Sequence, residues 1–179
     1  AHIDQVGRIR HLLRRRVQVG CIRHLLRRDS AALAGETFSL AGGDSLRWEV
    51  LRPDIPFLLG SWGEQSIRAC IGEISEVKIG GSANPGVIPY FRRTIDSAAD
   101  TAGRNGADVA IAIGAVCVVD EDGDAARALA RREVALYLPV VAELDPSITV
   151  DPELLARIKD AAMRYDFDAA GAMISDDLL

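Results

Sequence analysis

At 179 residues and 19.2 kDa the chain has the length of one domain and enough material for a substantial core. With 49% apolar and 26% charged residues it has an ordinary soluble composition, and no apolar run approaches the roughly 20 residues that span a bilayer. Charge is uneven: eight arginines and one acid precede Asp29, so the remainder holds 13 basic residues against 25 acidic ones. Such asymmetry admits a nucleic-acid or membrane arm.

The chain opens on a duplication. Ile9-Arg10-His11-Leu12-Leu13-Arg14-Arg15 recurs as Ile22-Arg23-His24-Leu25-Leu26-Arg27-Arg28, around Val17-Gln18-Val19-Gly20. Each copy sets Ile and two Leu on one helical face and its arginines elsewhere, the pattern of an amphipathic helix. A basic arm on phosphates is one reading; the plainer one is a surface helix with solvated arginines. No aromatic interleaves the arginines to stack on bases, which disfavours nucleic acid. The segment lacks the apolar core of a secretory signal and the serine enrichment of a transit peptide. His2, His11 and His24 have no partner at metal-ligand spacing. Residues 17–20 are expected as a first short strand.

Further along, Ala31 to Gly35 reads as a helix end capped by Gly35, and Phe38 to Leu40 as a short extended piece before a turn. Trp48, Val50 and Leu51 alternate with charged residues, as in an exposed strand or excursion. The run 55–60 reads as a strand, Glu64 to Glu73 as a helix and 76–80 as a second strand, each strand ending in Gly and Ser. Small residues there let backbone N–H groups approach an anion. A helix is predicted from about Val87 to Gly103, with Tyr90, Phe91, Ile95 and Ala98 inward. Arg104-Asn105-Gly106 then turns into 108–119, whose apolar run Val109–Val119 reads as a fully buried strand.

Asp120-Glu121-Asp122-Gly123-Asp124 resembles part of a calcium loop, but Arg131 stands where the twelfth-position glutamate belongs. Acids capping a helix N-terminus explain the run better. That helix is expected to end or kink at Pro139. Another begins at Asp151-Pro152-Glu153, burying Leu154, Leu155, Ile158, Ala161 and Ala162. Cys21, Cys70 and Cys117 form no CxxC pair; Cys70 and Cys117 read as core residues, and a reducing cytoplasm is expected. Strands alternating with helices predict an α/β fold with parallel β/α units. Four strands make about half of a TIM (β/α)₈ barrel, incomplete at the N-terminal side.

Gly60-Ser61-Trp62-Gly63, the helix end Ala69-x-x-Gly72-Glu73-Ile74, and Val77-Lys78-Ile79-Gly80-Gly81-Ser82-Ala83-Asn84-Pro85 stand in order within about thirty residues. This set resembles the luciferase-like monooxygenase superfamily, on its coenzyme F420-dependent, methylenetetrahydromethanopterin reductase-like side. The likeness extends more loosely from Ala34-Gly35 to the C-terminus. The repeat and its charge set off residues 1–28 as an arginine-rich amphipathic segment, and the likeness implies 29–179 as the C-terminal half of a luciferase-like β/α barrel. It further implies an oxidoreductase moving hydride between F420, or alternatively FMN, and a small organic substrate.

On that resemblance Gly60, Ser61, Trp62 and Gly63 would hold the cofactor's phosphate and side chain. Gly80, Gly81 and Ser82 would line the adjoining loop, while Asn84-Pro85 would shape it. Gly63-Glu64-Gln65 stands where the family often has Gly-Pro-Lys, and Ser75-Glu76 where it has Ala-Asp. Glu64 thus sets a negative charge beside the proposed phosphate. Catalytic residues stay unassigned; only Lys78 and Glu64 lie near as proton carriers, and no metal is expected. Unpaired strand edges predict self-association, with a small-molecule substrate and no membrane partner. The alternatives are a non-catalytic nucleic-acid-binding protein and an inactive barrel fragment.

Overall fold

The computed structural model describes residues 18–35 and 38–179. The first copy of the arginine repeat, His2 and His11 fall outside them. Three parallel strands form one sheet in the order β1 (Leu58–Gly60), β2 (Glu76–Gly80), β3 (Ala110–Gly114). Leu58, Leu59 and Gly60 stand opposite Glu76, Val77 and Lys78. The amide of Ala110 donates to Ser75 O and that of Gly81 to Gly114 O, so β3 runs parallel to β2. Helix α2 (Glu64–Cys70) crosses from β1 to β2, and α3 (Ile88–Thr101) crosses from β2 to β3. This is the parallel β/α arrangement of part of a TIM barrel.

The chain forms two compact units, one of the described residues through Lys78 with Phe91–Ile111, the other of Ile79–Tyr90 with Ala112–Leu179. In the first, Ile67 and Cys70 of α2 and Phe91, Ile95, Ala98 and Ala99 of α3 are buried, beside Val77 of β2. These positions recur at the 3.6-residue period within each helix. Arg104 fastens the α2–β2 connection, donating from Nη1 to Ile71 O at 2.5 Å and Ile74 O at 2.8 Å. Arg92 similarly holds Gly106 O and Val109 O, both at 2.9 Å. In the second unit, α4 (Gly123–Leu144), α5 (Pro152–Met163) and α6 (Phe167–Ala172) pack together around Ala135, Leu138, Ile158, Ala161, Ala170 and Ile174.

Several expectations are corrected. Residues 18–26 form a helix, α1, where a strand was expected over 17–20. The β-branched Val19 suits a strand, yet Cys21 and Leu25 extend one partly buried face through it, and that packing overrides local propensity. The turn that closes the helix puts Arg28 at φ 56°, and Asp29 N donates to His24 O, so Gly35 does not cap it. Leu33 instead bridges Leu40 in antiparallel fashion.

The strand expected over 108–119 is confined to β3 and is only half-buried, while Cys117 is exposed rather than core. Val119 is 90% exposed, having left the sheet five residues after β3 ends at Gly114. Burial in β2 alternates, with Val77 and Ile79 inside and Lys78 and Gly80 outside, as in a strand covered on one face. Helix α4 does not stop at Pro139 but continues to Leu144. The ring forfeits one backbone bond, while Ala135, Leu138 and Val141 on either side stay buried.

Candidate functional site

Because β1 and β2 are parallel, each glycine-serine loop follows the carboxyl end of its strand, where ligands of α/β sheets bind. In the first unit, Gly60 ends β1, and the Ser61 amide prolongs the pairing by donating to Lys78 O at 3.2 Å. Ser61 Oγ then accepts from the Gly63 amide at 3.1 Å, a serine turn that sets the entry to α2. The Ser66 and Ile67 amides both reach Gly63 O. Trp62 is half-buried, and its ring meets the buried Phe91 edge-on at 5.7 Å between centroids. The charge of Glu64 is answered one turn on by Arg68, at 3.1 Å from Nε and 2.6 Å from Nη2.

The second unit repeats the device. The Gly81 amide donates to Gly114 O at 2.7 Å, and Ser82 Oγ accepts from the Asn84 amide at 3.1 Å. Thus the Ser61, Gly63 and Gly81 amides, which the sequence offered to a phosphate, are bonded inside the chain. The serine hydroxyls differ. Each oxygen accepts from the backbone, which leaves its O–H hydrogen to donate outward.

Gly81 takes φ +85°, and a Cβ there would lie 3.2 Å from Val141 Cγ2 and 3.3 Å from Tyr137 Cδ1. Glycine is needed both for the backbone and for this approach to α4. Asn84 shapes the loop, as expected: its Oδ1 accepts from Gly86 N at 2.9 Å. A cavity of about 540 Å³ lies in this unit, bordered by Gly81, Ser82, Asn84, Tyr137, Val141 and Ser147. Ser147 Oγ donates to Asp145 at 2.5 Å and accepts from Asn84 at 2.8 Å, so toward a ligand it can only accept. Tyr137, Asp145 and Ser147 were missed in the sequence, although Asp145-Pro146-Ser147 carries the signature of an Asx turn.

Other candidates resolve as structure. Arg23 pairs with Glu73 at 2.8 Å and covers the Phe57 ring, and Arg27 pairs with Asp54 at 2.9 Å. These two arginines of the second repeat are therefore engaged within the chain. His24 lies 3.4 Å from Asp29 and bonds Ala31 O. Asp122 caps α4 by accepting from the Asp124 and Ala125 amides, the helix-start role expected of the acidic run. Asp124 pairs with Arg127, and that hydrogen bond raises the guanidinium's pKa. Among the described residues no cluster of His, Cys, Asp or Glu has metal-site geometry, and no helix is long and apolar enough to cross a membrane.

A search of curated proteins returns no match. Among solved structures, a coenzyme F420-dependent tetrahydromethanopterin reductase from Methanopyrus kandleri matches with TM-score 0.76 and 23% identity. The match covers 92% of this chain and 47% of that one, so the chain spans about half the reductase's length. At that identity the likeness is one of fold. The family model for luciferase-like monooxygenases matches residues 18–179, taking in both serine loops and all three strands. The chain belongs to the luciferase-like monooxygenase family.

Proposed function

We propose that the chain is part of an F420-dependent oxidoreductase, FMN being the alternative cofactor, and that it carries the loops for the cofactor's phosphate side. The observation behind this reading is the repeated loop: a serine turn after the carboxyl end of β1 and another after β2. Family membership and the fold shared with an F420-dependent reductase support it. The donor chemistry fits an anionic group through hydroxyls rather than an amide cradle. Ser61 and Ser82 each keep an O–H to donate; Glu64 beside the β1 loop is paired with Arg68, while Asp177 borders the cavity at the β2 loop.

In this reading Gly60, Ser61, Trp62 and Gly63 border the cofactor from the β1 loop, and Gly80, Gly81 and Ser82 from the β2 loop. The bound deazaflavin or flavin supplies a ring that gives or takes hydride. The chain's own residues bind and orient it: in the first unit the Ser61 hydroxyl donates to an anionic oxygen and the Trp62 ring, braced by Phe91, shields one side from water; in the second unit the Ser82 hydroxyl is a donor of the same kind. The substrate is a small organic molecule. Free Cys21, Cys70 and Cys117 accord with a reducing cytoplasm.

Titration with F420 and FMN separately, followed by cofactor fluorescence, tests the reading. Saturable change with F420, weakened by Ser61→Ala and by Ser82→Ala, is expected. No change with either cofactor up to millimolar concentration refutes it.

A further inference from the structure

We propose that Asp145 and Ser147, neither a residue of the glycine loops, are positioning residues that clasp the 81–86 loop in place; their importance for ligand binding rests on the cofactor reading above. Asp145 is 3% exposed and ends α4. Its Oδ1 accepts from the Ser147 amide at 2.8 Å and from Ser147 Oγ at 2.5 Å, while Oδ2 accepts from Asn84 Nδ2 at 3.4 Å. The same Nδ2 donates to Ser147 Oγ at 2.8 Å. Both amide hydrogens of Asn84 are thereby committed, and its Oδ1 is committed to Gly86 N. The Asn84 backbone amide holds Ser82 Oγ, so the chain of bonds runs from a buried carboxylate to the hydroxyl proposed to meet the cofactor.

The packing points the same way. Gly81 lies against Tyr137 and Val141, two turns and one turn before Asp145 on α4. The loop is thus held at Gly81 by close contact and at Asn84 by the polar clasp. Ser147 is at the centre of that clasp: it relays Asn84 to Asp145 and is itself exposed at the cavity. Removing its hydroxyl breaks two bonds without opening a core cavity, so the fold should survive while the loop loosens.

The test is amide hydrogen exchange on the full chain with Ser147→Ala, Ser147→Thr and Asp145→Asn, beside F420 titration. Loss of one net hydrogen bond corresponds to about five- to tenfold faster exchange at Asn84 and Gly86 in Ser147→Ala. Exchange at Ile158 in α5 should stay unchanged. F420 affinity should weaken by a similar factor, and Ser147→Thr, which keeps the hydroxyl, should restore both. Asp145→Asn supplies the same readout if Ser147→Ala does not fold. Unchanged exchange at Asn84 and Gly86 overturns the clasp. Faster exchange with unchanged F420 affinity overturns its role in positioning a ligand. Absence of F420 binding by the unsubstituted chain, with exchange still accelerated, supports the clasp and refutes the cofactor reading instead.

Discussion

Gly81→Ala isolates the point where backbone geometry and helix packing set the β2 loop. At φ +85° an alanine pays a left-handed penalty of roughly 1–2 kcal/mol. Its Cβ would also stand 3.2 Å from Val141 Cγ2 and 3.3 Å from Tyr137 Cδ1, closer than ordinary van der Waals contact. Overpacking of that kind costs on the order of 1–3 kcal/mol, at the lower end here because the Tyr137 ring is half-exposed and can shift. The reduced freedom of the unfolded chain returns about 0.4–1 kcal/mol. A net loss of about 1–2.5 kcal/mol remains, equivalent to a fall in melting temperature of roughly 2–10 °C for a chain of this size. Gly80→Ala is the control, because nothing lies within 4 Å of its Cβ position and its φ is not positive. Thermal melts by circular dichroism should separate the two variants clearly. Equal melting temperatures would refute the account of Gly81.

Three further outcomes follow from named contacts. Arg104→Met removes both bonds to Ile71 O and Ile74 O and should destabilise the chain by about 2 kcal/mol in urea unfolding, with little change in slope. Arg28→Gly relieves a left-handed backbone at φ 56° and should stabilise by about 1 kcal/mol, seen as a higher melting temperature. Among the described residues each outer strand of the sheet pairs on one side only, so sedimentation velocity should show mass rising with concentration, whereas a clean monomer throughout contradicts edge pairing.

Long amphipathic segments were legible because their period reports burial directly. The inward residues Phe91, Ile95 and Ala98 of α3 and Ile158 and Ala161 of α5 are all buried as read. The Asp122 and Asp151 caps were equally legible, since short acceptors before a helix leave a local signature. Reading failed where the answer is non-local. The apolar run after Val109 could not disclose that only five of its residues pair in the sheet, nor that Cys117 lies outside it. Arg28 and Tyr165 end helices in left-handed geometry without a glycine to announce it. In the candidate site, the glycine-serine loops stood out, but the amide commitments of Ser61, Gly63 and Gly81 did not. Asp145 and Ser147 lie some sixty residues from Asn84 in sequence, and no periodicity links them.

Trp62 offers the most direct test of where a cofactor would sit. The chain has two tryptophans, and Trp48, 13 residues before Ser61, is 66% exposed. Trp48→Phe leaves Trp62, braced on Phe91, as the sole indole reporter. F420 added to this variant should quench Trp62 emission saturably, with the same midpoint as the change in cofactor fluorescence. Cofactor binding that leaves Trp62 emission unaltered, or no binding at all, would contradict the account.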